Sequence, residues 1–359
     1  MPDFKVTKTD KSRINDVDWN NLGFGVNFSD HMYLAEYKDG KWQEGEIMPY
    51  GPMQIEPGNM TLHYGQSIFE GMKAFRDVNG KEVNLFRPEQ NAKRMARSAE
   101  RVCIPPYNEK IFVEAIKELV KVDQNWIPKK HGQALYIRPL AFGDSNFLGV
   151  HASETYKFII MTSPVASYYK EGLNPVKILV QDKYVRAVKG GLGQAKTAAN
   201  YAASLLAGKE AKEQGFAQVL WLDGLEHKFV DEVGAMNIMF VIDGTIITPP
   251  LEQGSILEGV IRKSVLKLAH EKGINVEERM ITIDEIVDAY KDGKLQEVFG
   301  TGTAAVISPV GELNYKGNSM VINNMKIGKM AQMFYDEITG IQYGEREDKY
   351  NWLEKIKID

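Results

Sequence analysis

The segment 163–175, near the middle of the chain, carries two prolines and a glycine and follows neither helical nor strand periodicity. Such a segment is typical of a linker between folded parts. With 359 residues, the chain is also longer than a single domain usually is, since about 100–200 residues per domain is the norm. The sequence therefore predicts a smaller N-terminal domain over 1–165, a linker at 166–175 and a larger C-terminal domain over 176–359.

Short apolar runs alternate with amphipathic segments in both predicted domains. Apolar residues at helical spacing predict helices at 89–101, 111–122, 197–214 and 257–269, and the sequence Thr-Ile-Asp-Glu at 282–285 is typical of a capping box that opens one more. Apolar runs predict strands at 134–138, 157–161, 176–180, 218–222 and 237–242. Many strands with a few helices indicate a two-domain enzyme of the α/β or α+β class.

Composition and charge argue against several classes of partner. Hydrophobic residues make up 43% of the chain and charged residues 26%, which is ordinary for a folded protein and argues against disorder. The formal charge of −4 gives no reason to expect nucleic acid or an anionic membrane as a partner. No run approaches the roughly 18 apolar residues of a membrane span, and residues 1–13 lack the apolar core of a secretory signal. We therefore expect a cytoplasmic protein.

The cysteine and histidine content argues against a metal site. Cys103 is the only cysteine, so neither an internal disulfide nor a thiolate metal site can form, and its apolar neighbours predict a buried thiol. The six histidines are scattered, with none at the i, i+4 spacing of a helical metal site. The chain also lacks a P-loop, a Gly-x-Gly-x-x-Gly motif after a strand and a Gly-x-Ser-x-Gly elbow. We expect no metal ion.

A glycine-rich turn and a run of small residues flank Lys196. The turn spans 190–193, and the small residues follow from Thr197, so a bulky group could approach the backbone closely. A lysine held in such a pocket can lose its charge and form a Schiff base with a carbonyl. Taken alone, the pattern also fits a solvated surface lysine.

Glu232 and two small-residue turns are the other unusual features. Glu232 comes directly before an apolar strand, so it lies either at an exposed strand end or beside a buried cation, for which a protonated pyridine nitrogen would serve. The turns at 254–261 and 299–305 offer backbone N–H groups, and the first opens a helix, so both suit phosphate or carboxylate. Loops of this kind also serve merely to turn a chain.

A reactive lysine, a carboxylate and two anion cradles match the aldehyde, pyridine nitrogen and phosphate of pyridoxal 5′-phosphate (PLP). Here the chain resembles the branched-chain amino acid aminotransferases of PLP fold type IV. The segments that carry the resemblance run nearly from end to end, at 24–32, 63–65, 69–75, 85–88, 134–139, 186–201, 232–237, 299–304 and 341–344. The resemblance implies a mixed α/β (α+β) two-domain fold with the PLP lysine in the larger C-terminal domain. It also implies a homodimer that transfers the amino group of leucine, isoleucine or valine to 2-oxoglutarate, giving branched-chain 2-oxo acids and glutamate.

The resemblance implies a role for each cofactor contact. Lys196 would bind the cofactor's aldehyde and then move the proton between Cα of the amino acid and C4′. Glu232 would keep the pyridine nitrogen protonated, since a carboxylate beside a cation keeps both charged. Tyr201 would donate to the phenolic oxygen, and Arg87 would bind the phosphate with its forked donors. The rest of the phosphate cup would be Gly259, Val260, Ile261 and Thr303.

The resemblance also implies a substrate pocket with an apolar side and a carboxylate side. Its apolar side would be Phe24, Tyr64, Phe69 and Tyr136, for which ordinary core packing is the competing interpretation. The α-carboxylate would meet the Tyr136 hydroxyl and the backbone amides of Thr303 and Ala304. Arg138 would meet the second carboxylate of glutamate or 2-oxoglutarate.

Two departures from the mammalian members affect regulation and specificity. Their Cys-x-x-Cys pair is replaced by Ala305 and Ser308, so we expect no redox switch. Their Gly-Gly after the lysine is Ala198-Ala199, and the Thr before Met-Asn is Ala235, which puts fine substrate preference in doubt. The alternatives are a D-amino acid aminotransferase or aminodeoxychorismate lyase of the same fold type, and a non-catalytic PLP-binding protein.

Overall fold

The computed structural model describes residues 4–166 and 173–358, and it contains both mixed β-sheets and helices. In chain order the strands are β1 (Lys5–Val6), β2 (His31–Lys38), β3 (Lys41–Trp42), β4 (Glu46–Pro49), β5 (Ser67–Phe69), β6 (Met72–Arg76), β7 (Glu82–Phe86), β8 (Ala134–Gly143), β9 (Tyr156–Val165), β10 (Val176–Gln181), β11 (Gln218–Leu222), β12 (Val230–Val233), β13 (Asn237–Ile242), β14 (Thr245–Thr248), β15 (Val276–Glu278), β16 (Leu295–Gly302), β17 (Val306–Tyr315), β18 (Asn318–Val321) and β19 (Leu353–Lys357). The α-helices are α1 (Met60–Tyr64), α2 (Pro88–Arg101), α3 (Glu109–Val122), α4 (Ala198–Glu213), α5 (Val260–Glu271), α6 (Ile283–Lys291) and α7 (Lys329–Gln342). This content confirms the predicted α+β class.

The first of two compact units comprises Met1–Tyr168, Ala195–Ala198 and Gly340–Asp359. Its sheet has the strand order β1-β4-β2-β9-β8-β6-β7-β19, with β3 on β2 and β5 on β8. Helix α2 begins at Pro88, which suits the first helical position, and buries Ala92, Met95 and Ala99 along one face. That face and helix α3 form the core together with apolar side chains of the sheet.

The second unit comprises Tyr169–Gln194 and Ala199–Thr339. Its sheet has the order β12-β11-β10-β17-β16-β13-β14-β15, with β18 on β17. The pairs of β10 with β11 and β17 are parallel, whereas β13, β16 and β17 pair antiparallel. Strand β13 is almost wholly buried, which explains its apolar run in the sequence, and β16 is buried over most of its length.

The division into units differs from the predicted domains in two places. The segment 195–198, which carries Lys196, belongs to the first unit because the N–H of Phe69 donates to the carbonyl of Lys196 at 3.0 Å and Ile68 forms a bridge with Thr197. The C-terminal residues also belong there because β19 pairs with β7 along its whole length. Most of the predicted linker, 167–172, lies outside the described residues, so the limits 1–165, 166–175 and 176–359 stay a prediction.

Most predicted elements are present, and their ends show where local sequence was insufficient. Strands β11 and β13 have the predicted bounds, whereas β8 and β9 continue to Gly143 and Val165 because they pair residue by residue with each other. The helix predicted from Leu257 begins at Val260, since the N–H of Leu257 donates to Glu232 instead. The predicted cap of α6 is confirmed, because the Thr282 hydroxyl accepts from the N–H of Glu285 at 3.0 Å.

The prediction of a buried Cys103 is wrong. Cys103 is exposed and follows the C-terminal end of α2 with a φ of 57°. This left-handed conformation turns the chain, and the carbonyl of Cys103 accepts from the Tyr156 hydroxyl at 2.9 Å. The backbone is therefore held in the protein while the thiol faces solvent, although the flanking residues are apolar.

Candidate active site

The main chain of Lys196 is held on both sides within the first unit. Its carbonyl accepts from Phe69 N–H, and its own N–H donates to the Ser98 hydroxyl at 3.0 Å. The Lys196 Nζ lies 4.8 Å from the centroid of the Phe69 ring. The lysine is therefore fixed against strand β5 and helix α2.

Four of the predicted substrate residues form one cluster in the first unit. Tyr136 and Arg138 alternate on strand β8 and therefore share a face. The Arg138 guanidinium carbon lies 4.6 Å from the centroid of the Phe69 ring, and the Arg138 Nη2 donates to the Tyr136 hydroxyl at 3.0 Å. Phe24 meets the Tyr136 ring edge-on at 4.9 Å. The cluster thus combines aromatic surface with the Arg138 guanidinium.

Tyr64, which was also predicted for the apolar side of the pocket, has a different environment. It ends helix α1 and is 41% exposed. Within the described part of the chain its ring contact is with His63, at 6.1 Å between centroids, and not with the other three aromatic side chains. A contribution of Tyr64 to the pocket stays a prediction.

Sequence reasoning missed Lys73 on the neighbouring strand. Lys73 on β6 pairs with Tyr136 on β8, so the two side chains share a face of the sheet. It is buried, and that burial lowers its pKa to about 8. A lysine between Met72 and Ala74, within the apolar run of a strand, could have indicated this buried amine.

A buried ion pair beside Lys196 was also missed. The Glu70 carboxylate accepts from Arg94 Nε at 2.7 Å, from Arg94 Nη2 at 2.8 Å and from Asn91 Nδ2 at 2.8 Å. Burial opposes the charge of Glu70, but Arg94 and Lys196 hold its pKa below the ordinary value. Polar residues at 91, 94 and 98 on one face of a helix could have indicated this cluster.

Arg87 occupies the position just before helix α2. It is the N-cap residue of α2, with a left-handed backbone (φ 51° and ψ 45°), and its side chain makes no capping hydrogen bond. Its N–H donates to the Trp352 carbonyl at 2.6 Å, and its guanidinium carbon lies 5.0 Å from the centroid of the Trp352 ring. A forked cation at an uncapped helix start suits a phosphate group.

Glu232 lies buried on strand β12 in the second unit, 3% exposed. Its Oε2 is 2.7 Å from Arg186 Nε, and its Oε1 accepts from Asn237 Nδ2 at 3.0 Å and from Leu257 N–H at 2.9 Å. Of the two interpretations of its sequence position, the buried one with a cationic partner is therefore confirmed. The partner that the chain itself supplies is Arg186.

Asp231 adjoins this group from the other face of the strand. Its Oδ1 accepts from the Ser255 hydroxyl at 2.9 Å, and the Ser255 carbonyl accepts from Arg186 Nη1 at 3.0 Å. Burial raises the pKa of the Asp231 carboxyl to about 6. One arginine thus links both carboxylates of β12.

The remaining predicted cofactor contacts lie at a helix start and in turns of the second unit. Gly259 is the N-cap residue of α5 and has no side chain with which to cap it, and a Cβ there would lie 2.0 Å from Asn237 Oδ1. Val260 and Ile261 form the first turn of that helix, so their N–H groups have no partner within it. Thr303 and Ala304 lie in the turn that joins β16 to β17, and Tyr201 lies in the first turn of α4.

The chemistry of these groups, taken unit by unit, fits PLP. In the first unit, Lys196 offers an amine and Arg87 offers forked donors that suit a phosphate. In the second unit, the start of α5 suits a phosphate and the buried anion Glu232 suits a protonated ring nitrogen. Among residues 4–166 and 173–358, no three His, Cys, Asp or Glu side chains are grouped so that they could hold a metal ion. Within the same ranges, no helix is long and apolar enough to cross a membrane.

Comparison with known proteins agrees with this chemistry. The family model described as amino-transferase class IV matches residues 67–313. Branched-chain-amino-acid aminotransferase 2 of Bacillus subtilis (strain 168) is 51% identical over 98% of this chain and 96% of its own length. The branched-chain-amino-acid aminotransferase of Mycolicibacterium smegmatis is 42% identical over 94% of this chain and 92% of its own length.

Solved structures are similar over nearly the whole chain as well. The branched-chain amino acid aminotransferase of Escherichia coli has a TM-score of 0.73 at 26% identity and covers 90% of this chain and 98% of its own. A further branched-chain amino acid aminotransferase, solved with pyridoxamine 5′-phosphate, has a TM-score of 0.75 at 27% identity and covers 93% of this chain and 98% of its own. The chain belongs to the class IV aminotransferases and, among them, to the branched-chain amino acid aminotransferase family. The predicted family, fold, aminotransferase activity and PLP dependence are thereby confirmed.

Proposed function

We propose that this protein transfers the α-amino group between L-leucine, L-isoleucine or L-valine and 2-oxoglutarate. The observation that carries this proposal is the cluster of Phe24, Phe69, Tyr136 and Arg138, which offers an aromatic surface beside the Arg138 guanidinium. An aliphatic side chain can pack on the rings, and the side-chain carboxylate of glutamate can pair with the guanidinium. The relative solved with pyridoxamine 5′-phosphate has also been solved with N-(5′-phosphopyridoxyl)-L-glutamate and with 4-methylvaleric acid. That relative therefore binds both a ligand with a second carboxylate and a ligand with a branched aliphatic chain.

PLP, when bound, supplies the electron sink that lets the Cα–H bond of the amino acid break. Lys196 holds the cofactor covalently and moves the proton between Cα and C4′. Its main chain is anchored by Phe69 and Ser98, which would fix the point from which its side chain reaches the cofactor. Glu232, which is paired with Arg186 at 2.7 Å, would keep the pyridine nitrogen protonated.

The other contacts orient the two ligands. Arg87 and the N–H groups of Val260 and Ile261, with Gly259 and Thr303 beside them, bind the phosphate. Tyr201 donates to the phenolic oxygen. The Tyr136 hydroxyl and the backbone amides of Thr303 and Ala304 receive the α-carboxylate, and Tyr64 completes the apolar wall.

The test is to measure amino transfer from L-leucine, L-isoleucine and L-valine to 2-oxoglutarate, with D-alanine as the control donor. We expect turnover with the three L-amino acids and little with D-alanine. Turnover with D-alanine alone would instead favour a D-amino acid aminotransferase, and cofactor binding without turnover of any donor would favour a non-catalytic PLP protein.

We further propose that the protein is a homodimer that works in the cytoplasm. Large apolar side chains are exposed in the first unit, at Leu62 (65%), Leu148 (71%) and Val150 (85%). Exposed apolar surface of this kind is stabilised by burial against a second copy. Sedimentation equilibrium should give twice the chain mass. The double variant Leu148→Asp, Val150→Asp should shift the measured mass toward that of a single chain.

A further inference from the structure

The C-terminal strand brings a tryptophan to the residue that precedes helix α2. Strand β19 pairs antiparallel with β7, with Leu353 opposite Phe86 and Lys357 opposite Glu82. This register places the residue before β19, Trp352, beside the residue after β7, Arg87. Both residues belong to the first unit, far apart in sequence.

Two contacts join these residues, one through the backbone and one through the side chains. The Arg87 N–H donates to the Trp352 carbonyl at 2.6 Å, and the Arg87 guanidinium carbon lies 5.0 Å from the centroid of the Trp352 ring. The indole is itself 7% exposed, stacked on Tyr350 at 4.3 Å and edge-on to Phe86 at 5.5 Å. The ring is therefore a fixed surface for the guanidinium.

The backbone of Arg87 is in a conformation that needs such support. Its φ of 51° lies in the left-handed region, which a non-glycine residue adopts only where its surroundings hold it. The hydrogen bond to Trp352 and the start of α2 hold it here.

We propose that Trp352 is a positioning residue that holds the Arg87 guanidinium for a phosphate group. An aromatic face attracts a guanidinium through its ring electrons, and this contact itself uses none of the guanidinium N–H donors. The inference rests on the proposed role of Arg87 as the phosphate ligand. It assigns to the C-terminal residues a part in cofactor binding, through Arg87 rather than by direct contact.

The experiment compares two probes on full-length protein freed of cofactor: PLP and pyridoxal, which lacks the phosphate. Trp352→Leu should weaken PLP by about two- to thirty-fold, the range of a cation–aromatic contact, and leave pyridoxal nearly unchanged. Trp352→Phe keeps a weaker aromatic face and should show a smaller loss of the same selectivity. Ile356→Val, a mild change in the buried side of β19, is the matched control and should leave both affinities unchanged.

Three outcomes separate the inference from the proposed function. Equal weakening of PLP and pyridoxal in the Trp352 variants would show a merely structural role and overturn the inference. If Arg87→Met lowers the preference for PLP over pyridoxal and Trp352→Leu and Trp352→Phe do not, only the positioning role fails. If Arg87→Met leaves that preference intact, the phosphate role of Arg87 itself is wrong. Should Trp352→Leu fail to fold, the ratio measured on Trp352→Phe decides the question.

Discussion

The Arg138 Nη2 donates a hydrogen bond to the hydroxyl of Tyr136, 3.0 Å away, from two residues further along the same strand. The Arg138 guanidinium carbon also lies 4.6 Å from the centroid of the Phe69 ring. The cation is thus held against apolar surface, where it stays partnered when an aliphatic substrate is bound. A second substrate carboxylate can then pair with it, which one pocket needs in order to accept both leucine and glutamate.

Arg138→Met should separate the two half-reactions. Removing one member of a buried charge pair costs about 2–5 kcal/mol, so kcat/KM for glutamate and 2-oxoglutarate should fall roughly 30- to 4,000-fold. The leucine half-reaction should fall by less than about tenfold, since an aliphatic side chain makes no ion pair. Each half-reaction is followed by cofactor absorbance in a single turnover. Tyr136→Phe is the control and should slow both half-reactions, since both substrates carry the α-carboxylate. Equal losses of kcat/KM for leucine and glutamate in Arg138→Met would mean that Arg138 binds the shared α-carboxylate.

Glu232→Gln keeps the shape of the side chain but removes its charge beside Arg186. The pyridine nitrogen should then lose its proton near neutral pH, and Cα proton removal should slow by about 100- to 1,000-fold, as when a single fixed electrostatic contact is lost. Single-turnover rates with leucine measure this, and substrate affinity should change much less. Glu312→Gln, which removes a carboxylate 3.0 Å from Lys177 elsewhere in the second unit, should leave the rate unchanged. An unaltered rate in Glu232→Gln would falsify the role given to Glu232.

Borohydride treatment of the loaded protein should fix the cofactor to Lys196. The other lysine that could react with the cofactor is Lys73, because burial lowers its pKa to about 8 and makes it an easily deprotonated amine. Peptide mapping of the reduced protein distinguishes the two lysines. Lys196→Ala should lose the covalent link and several orders of magnitude in turnover, whereas an adduct on Lys73 would end this assignment.

Asp231 should make the free energy of unfolding depend on pH, and the direction follows from its raised pKa. Burial raises its folded pKa to about 6, above roughly 3.9 for an unfolded aspartate. Its contribution is therefore fully present below the unfolded pKa and is lost as pH rises through the folded one. Asp231→Asn keeps an acceptor for Ser255 but does not titrate. As pH rises from about 4 to about 7, its free energy of unfolding should increase by on the order of 2 kcal/mol relative to that of the natural protein.

Urea unfolding at several pH values measures this difference. Asp223→Asn is the control of opposite sign, because burial opposes the charge of Asp223 but four backbone N–H groups outweigh it and hold the pKa below its ordinary value. Its contribution is present above the unfolded pKa and lost as pH falls, so Asp223→Asn should be least stable, relative to the natural protein, near neutral pH. A pH-independent difference for Asp231→Asn would contradict the raised pKa.

Cys103 should react readily with a thiol reagent in the native protein because its side chain is exposed. Activity should remain largely intact after mild peroxide, since the chain has no second cysteine with which to form an internal disulfide. Thiol titration and activity on the same sample test both statements, with Cys103→Ser as the control. Rapid inactivation that a thiol reverses, absent in Cys103→Ser, would show that Cys103 influences the active site.

The sequence by itself determined the chemistry and the local elements. The periodicity of β11 and β13, the cap at Thr282 and the residues around Lys196 and Glu232 are local patterns, and local patterns depend on backbone geometry and side-chain type. These patterns were enough to predict an α/β or α+β enzyme whose lysine, carboxylate and turns suit PLP, and the resemblance of longer segments to a known family implied the aminotransferase activity.

Only the tertiary structure decided which groups meet. Lys196 is anchored by Phe69 and Ser98, Glu232 by Arg186, and Arg87 by Trp352, and each partner is distant in sequence. Such contacts form when strands pair and a helix packs on them, so no short window of sequence contains them. The exposure of Cys103 has the same origin, because a left-handed turn at the end of α2 outweighed its apolar neighbours.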